Sequence, residues 1–112
     1  MKSYRMLFLY FLAVITCDVK ADVMLSQYDQ VKNTAFFKPY INGIGTGYFW
    51  ANVDLDIRNT KKLFCTPQNL DFNADDYVAI LNDQINYTKS KQGNWPIGAL
   101  LLEGLRRKYP CK

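Results

Sequence analysis

The stretch YINGIGTGYFWANVDLD, residues 40–56, decides the fold of this chain, because it places Gly43, Gly45 and Gly47 within five positions. Such glycines are typical of phosphate-binding loops, which need either G-x-G-x-x-G between a strand and a helix or G-x-x-x-x-G-K-[ST]. Here the third glycine comes one residue early, no lysine follows it, and no β-rich run precedes Gly43. Neither phosphate-binding pattern is met.

The same stretch fits an amphipathic helix. Aliphatic and aromatic residues recur at helical spacing, in the order Tyr40, Ile44, Tyr48, Ala51 and Leu55. Gly43, Gly47 and Ala51 form a second strip with little side-chain volume. Because each glycine costs about 1 kcal/mol against alanine inside a helix, we expect another backbone to approach this strip closely. Gly47→Leu is then expected to destabilise the protein by about 1–3 kcal/mol through overpacking.

The rest of the chain also has helical periodicity. Tyr28, Val31 and Ala35 share a face before Pro39, which is expected to break or kink the chain. A helix capped by Asn73 has the apolar face Tyr77, Ile80, Leu81 and Ile85. After a polar loop, a last helix capped by Asn94 has the apolar face Ile97, Leu100, Leu101 and Leu105. The prediction is an all-α domain, a small bundle of about four helices.

The first 21 residues have the features of a secretory signal peptide. Lys2 and Arg5 precede the apolar run MLFLYFLAVITC (6–17), and Val19 and Ala21 suit cleavage after Ala21. The run is shorter than the roughly 20 residues that a membrane span needs. We therefore expect a signal peptide at residues 1–21 and an exported helical domain at residues 22–112, with no membrane span after cleavage. The alternative is a lipoprotein cut before Cys17, although Thr16 stands where Gly or Ala is usual in that motif.

Removal of the leader changes both the charge and the cysteine count. It takes three of the 14 Lys and Arg residues and one of the ten Asp and Glu residues, so the net charge falls from +4 to +2. This charge is too small and too scattered for nucleic-acid binding. Cys65 and Cys111 remain, and in an oxidising compartment they are expected to form one disulfide. Closing that loop is expected to stabilise the fold by roughly 4 kcal/mol.

The residues that support catalysis are scarce. The chain contains no histidine, which excludes Ser-His-Asp and Cys-His catalysis. If the two remaining cysteines are paired, neither a thiol nucleophile nor a zinc ligand set is left. Glu103 is the only glutamate, and most aspartates suit helix ends or exposed faces. We expect a protein that binds a partner, is not an enzyme, and uses no cofactor or metal.

Several short motifs then resemble those of one family. The segments YINGIGTGY (40–48), LFCTPQN (63–69) and WPIGALLLEGLRRKYPC (95–111) are similar, in kind and order, to motifs of the Rap/Tai family. These are periplasmic immunity proteins that neutralise the peptidoglycan amidases of type VI secretion systems. The matching residues are Tyr40, Ile41, Gly43, Cys65, Pro67, Tyr109, Pro110 and Cys111. The chain departs from the family at Gly104, where alanine is usual, and at AFFKP (35–39), where many members carry another cysteine.

The resemblance implies a periplasmic homodimer whose partner is a cognate amidase effector, inhibited by occlusion of its active site. A plug of this kind needs a projecting polar segment with a rigid anchor, and TKSKQGNW (88–95) fits best. The expected partner-binding residues are Lys89, Lys91, Gln92, Asn94 and Trp95. The alternative for this segment is that Trp95 covers the core and the lysines are merely solvated. The alternative function is a small periplasmic chaperone or stress protein with one disulfide.

Overall fold

The structure is a computed structural model that describes residues 22–68, 70–88 and 93–112. Over these residues the fold is all-α, as predicted. A 3₁₀ turn at Leu25–Gln27 is followed by four helices: α1 at Tyr28–Val31, α2 at Phe37–Ile57, α3 at Ala74–Tyr87 and α4 at Ile97–Lys108. The predicted disulfide between Cys65 and Cys111 is present. The expected signal peptide, with its two candidate processing sites, lies outside the described residues.

The glycine-containing stretch lies within α2, the longest helix of the described residues, so the helical interpretation of this segment is confirmed. The prediction that Pro39 interrupts the chain is wrong. Pro39 stands in the first turn of α2, where its missing N–H would have had no partner within the helix. Tyr28 and Val31 lie in α1, but Ala35 belongs to the turn that joins α1 to α2.

Helix α2 is rotated relative to the orientation that the sequence suggested. Its buried residues are Phe37, Ile41, Gly45 and Asn52. The predicted stripe borders this face and is half-buried along its length, from Tyr40 to Leu55. The predicted packing strip of Gly43 and Gly47 is exposed on the far side.

The expectation of a close approach at Gly47 is therefore wrong. A Cβ atom at Gly43 or Gly47 would have no other atom within 4 Å, so Gly47→Leu would not overpack the fold. The close contacts are instead at Gly45 and Gly104. A Cβ at Gly45 would lie under 3.0 Å from the Tyr77 ring, and one at Gly104 would lie 3.1 Å from the carbonyl oxygen of Ile80.

The core lies where α2 crosses the pair formed by α3 and α4. Its fully buried side chains are Phe37, Ile41, Leu81, Ile97, Leu101 and Leu105. Tyr48 of α2 donates a hydrogen bond from its hydroxyl to the carbonyl oxygen of Gly98 at 2.7 Å, which joins α2 to α4. At the start of α3, Asn73 and Asp76 form the predicted cap, each side chain accepting the other's backbone N–H at 3.0 and 2.8 Å.

The segment of residues 22–27, which we call the N-terminal strap, covers the beginning of α4. The Leu25 N–H donates to the Trp95 carbonyl at 2.8 Å, and the Ile97 N–H donates to the Val23 carbonyl at 2.9 Å. Asn94 accepts a hydrogen bond from the Ser26 N–H at 3.0 Å, and its side chain makes no cap on α4. The prediction that Asn94 caps this helix is therefore wrong, because Pro96 occupies the cap position and a tertiary contact uses the Asn94 amide.

The connector between α2 and α3 is held by Asn52, a buried polar residue of α2. Its Nδ2 donates to the Phe64 carbonyl at 2.9 Å, and its Oδ1 accepts from the Leu63 N–H at 2.8 Å. One side chain therefore satisfies a donor and an acceptor of the connector directly before Cys65. This contact positions one end of the disulfide.

Replacing Asn52 by leucine is expected to destabilise the protein. A leucine has similar volume but leaves the Leu63 N–H and the Phe64 carbonyl without their partner, at a cost of about 1–3 kcal/mol for each group that stays unsatisfied. Urea unfolding followed by circular dichroism measures the change. Asn42→Leu, at a half-buried position of the same helix, is the control for the change of side-chain type. Equal unfolding midpoints for the two variants would contradict the role assigned to Asn52.

Candidate partner-binding surface

The candidate site is the region between α3 and α4, where the sequence predicted a plug. Three of its five predicted residues, Lys89, Lys91 and Gln92, lie outside the described residues. Asn94 and Trp95 lie close to the N-terminal strap, but they differ in what their side chains do. Since the Asn94 oxygen is bonded to the strap, Asn94 has a structural contact, whereas the Trp95 ring projects outward.

Trp95 combines a fixed backbone with an exposed ring. Its carbonyl accepts from the Leu25 N–H at 2.8 Å and its N–H donates to the Gly93 carbonyl at 3.1 Å. Its side chain is 55% exposed, so it covers the core only in part. A Cβ at Gly93 would lie 3.2 Å from the indole Nε1, so the ring lies against the Gly93 backbone. The indole of Trp95 is thus exposed to solvent, while hydrogen bonds from Leu25 and to Gly93 fix the backbone that carries it.

A groove of about 440 Å³ lies beside Trp95 and is formed by α3, α4 and the residues that border them. We call it the Trp95 groove; its lining residues include Gln84, Thr88, Trp95, Ala99, Leu102 and Glu103. Thr88 ends α3 by donating its hydroxyl to the Gln84 carbonyl at 3.0 Å. The groove therefore lies between the end of α3 and the first turns of α4, and its lining is mainly apolar, which suits an apolar side chain of a partner.

Two further residues, which the sequence pattern did not predict, extend this surface. Tyr87, at the end of α3, is 62% exposed. The Arg107 guanidinium lies 4.2 Å from the centre of the Tyr87 ring. Arg107 also donates to the Gln84 Oε1 at 2.8 Å and to the Asp83 carboxylate at 2.6 Å. The contacts with α3 thus hold the arginine in one orientation. Its guanidinium packs against one face of the Tyr87 ring, and the rest of that side chain stays exposed.

The composition of this surface favours binding over chemistry. Trp, Tyr and Arg are the residues that most often dominate the energy of protein interfaces. Burial raises the pKa of Tyr28, Tyr48 and Tyr77 above the ordinary phenol value, and none of these three lines the Trp95 groove. Among the described residues, no three acidic or cysteine side chains come together as a metal site would require. Over the same residues, no helix has the length and apolar character to cross a membrane.

Comparisons of the chain with protein-family models, with curated proteins and with solved structures gave no match. The fold and the site therefore define the protein only by class. It is a small helical domain with one disulfide and an exposed aromatic surface beside an apolar groove.

Proposed function

We propose that this protein is a periplasmic immunity protein that binds and occludes a peptidoglycan amidase effector of a type VI secretion system. Two lines support the proposal: the resemblance of the sequence motifs to the Rap/Tai family, and the surface around Trp95. The observation that carries it is the exposed Trp95 ring on a backbone that the N-terminal strap holds in place. An inhibitor that enters a cleft needs such an anchor, because a rigid group loses little conformational freedom on binding.

In the proposed complex, Trp95 enters the amidase cleft while the Trp95 groove receives a side chain from its rim. Tyr87 and Arg107 lie at the opposite end of segment 88–95 and would contact the cleft on that side. Occlusion of this kind excludes the peptide stems of peptidoglycan by volume alone, so the immunity protein needs no catalytic group and no cofactor. The proposal therefore agrees with the lack of histidine in the chain.

The proposed compartment is the periplasm, reached through a cleaved signal peptide. The Cys65–Cys111 bond supports an oxidising compartment, since disulfides persist there and are rare in the cytosol. The resemblance also implies a homodimer in that compartment.

Trp95→Ala and Tyr87→Ala are each expected to weaken binding to the cognate amidase by about 2 kcal/mol or more, which is roughly a 30-fold rise in Kd. Both side chains are exposed, so thermal unfolding is expected to change by no more than about 0.5 kcal/mol. Calorimetry with a candidate peptidoglycan amidase, chosen because its gene adjoins that of this protein, measures the affinity. Survival of cells that express the amidase in their periplasm measures protection. In the same survival assay, alanine at Lys89, Lys91 and Gln92 together is expected to abolish protection.

The matched control is Leu70→Ala, which truncates an exposed apolar side chain on the connector, away from the Trp95 groove. It is expected to leave the affinity unchanged. If Trp95→Ala and Tyr87→Ala bind and protect like Leu70→Ala, this surface is not the plug. If the protein binds no amidase but prevents aggregation of unfolded periplasmic proteins, the chaperone alternative replaces the proposal.

A further inference from the structure

The outward-facing side of α2 carries an apolar pattern that the monomer leaves exposed, except at the half-buried Val53. At alternating spacings of three and four, the positions are Phe36, Pro39, Gly43, Thr46, Trp50, Val53 and Ile57. We call this set the outer face of α2. Trp50 is 62% exposed and Ile57 is 75% exposed. No charged residue occurs from position 39 to position 53, which is unusual for a helix surface that faces water.

A heptad pattern of uncharged residues normally marks the seam between two packed helices. Within one chain, α2 packs against the other helices through its opposite side, which carries the buried residues Ile41 and Gly45. The outer face is therefore not needed for the core of a single chain. Such an exposed apolar face indicates an interface with another molecule.

The aromatic rings of this face supply a substantial part of an interface. Phe36 and Trp50 are 55% and 62% exposed, which leaves roughly 200–300 Å² of aromatic side chain in water. A standard interface takes about 800 Å² from each partner, and its core is enriched in aromatic residues. The two rings thus supply about a third of that area, and Ile57 and the rest of the face extend it.

We propose that the outer face of α2 binds a second copy of this chain, with the two α2 helices antiparallel about a two-fold axis between Thr46 and Gly47. Trp50 and Gly43 lie equally far from that point along the helix, so each indole would lie over Gly43 of the other copy. Ile57 and Phe36 are likewise equidistant and would form the outer contacts. The inference rests on the homodimer in the proposed function and adds the surface that forms it.

Self-complementarity is what makes a second copy the partner. An isologous interface needs projecting and receding groups on the same patch, each matched to the other by the two-fold axis. Trp50 is the projecting group. Gly43 is the receding group, because it has no side chain. The space beside it is also open, since a Cβ at that position would have no other atom within 4 Å.

The charges agree with this pairing. The charged residues that flank the face are already paired within the chain: Asp54 with Arg58 at 3.1 Å, Lys38 with Asp75 at 2.8 Å and Asp56 with Lys62 at 3.9 Å. Two copies therefore do not bring unpaired like charges together. The antiparallel arrangement also opposes the two helix dipoles. An amidase in the proposed complex would contact the Trp95 groove, which α3 and α4 form without residues of α2, so dimerisation leaves that groove open.

The test is the oligomeric state of the leaderless protein, measured by sedimentation equilibrium over a concentration series. The wild-type protein is expected to have twice the mass of one chain at high micromolar concentration. Trp50→Lys is expected to raise the dimer dissociation constant at least about 30-fold. Trp95→Lys is the matched control, because it makes the same change at a tryptophan of similar exposure, and it is expected to remain dimeric.

A second variant tests the Gly43 contact without disturbing the monomer. The leucine of Gly43→Leu enters open space in a single chain, so circular dichroism is expected to show a folded protein. In the dimer the same leucine occupies the place of the partner's indole, and the dissociation constant is expected to rise at least about tenfold.

Two results would overturn the inference. One is a wild-type protein that is monomeric at high micromolar concentration, whatever its affinity for the amidase. The other is a dimer whose dissociation constant is unchanged by both Trp50→Lys and Gly43→Leu. A dimer that depends on Trp50 but binds no amidase would support the inference while contradicting the proposed immunity function, so the two proposals fail separately.

Discussion

Breaking the Cys65–Cys111 disulfide is expected to lower the free energy of unfolding by about 4 kcal/mol. The bond closes a loop with a sequence separation of 46 residues, and opening that loop restores conformational freedom to the unfolded chain. The effect is large for this protein because a domain of its size has a small core, and the whole stability of such domains is about 5–15 kcal/mol. The measurement is urea unfolding of the oxidised protein and of Cys65→Ser.

Cys111→Ser and the double variant are the controls for this experiment. Both open the same loop, so each is expected to unfold at the same urea concentration as Cys65→Ser. Intact-mass measurement of the oxidised protein is expected to show the loss of two hydrogen atoms relative to the reduced form. Equal stability of the oxidised protein and the double variant would contradict the expected contribution of the bond.

Gly45→Leu is expected to destabilise the protein by about 3 kcal/mol or more, at the upper end of the usual cost of overpacking. The Tyr77 ring occupies the space that any side chain at this position would need. That ring is buried and packs against Phe72, whose ring centre lies 5.4 Å away. A displacement of Tyr77 would therefore disrupt its packing against Phe72. Thermal and urea unfolding both measure the change.

Gly47→Leu is the matched control, because it makes the same substitution two positions along the same helix. In a single chain its leucine enters open space, and removal of the glycine is expected to stabilise the helix by about 1 kcal/mol. Because Gly47 lies at the proposed two-fold axis, both variants are compared at a concentration at which the protein is monomeric. The two variants are thus expected to shift stability in opposite directions. Similar unfolding midpoints would show that α2 does not pack through Gly45.

The positions of the helices were predictable, but the rotation of α2 was not. Local signals placed α3 correctly, since Asn73 and Asp76 satisfy each other's backbone N–H groups in any context. Helix α2 has apolar residues on its buried side, such as Ile41, and on its outer face, such as Trp50. Periodicity alone cannot decide which of two apolar sides enters the core. For this reason the sequence pattern predicted the packing contact at Gly47 instead of Gly45.

Pro39 and Asn94 show a second limit of sequence patterns. A proline suits both a chain break and the first turn of a helix, and an asparagine suits both a helix cap and a tertiary hydrogen bond. The choice depends on which neighbours the fold supplies. For Asn94 that neighbour is the Ser26 N–H, which is distant in sequence.

The candidate surface was predictable only in part, for the same reason. Trp95 was found because it adjoins a polar segment in the sequence. Tyr87 and Arg107 were missed, since the contact of Arg107 with the Tyr87 ring exists only after α4 has packed against α3.

The N-terminal strap has a consequence for the order in which the chain can fold. Ser26 and Asn94 are 68 positions apart, so the strap leaves the ribosome well before the residues that hold it. Contacts between such distant segments form late, because the intervening chain must first be confined. The strap is therefore left open until α4 is available. This part of the domain therefore completes its folding only after the last of its contact residues has been synthesised.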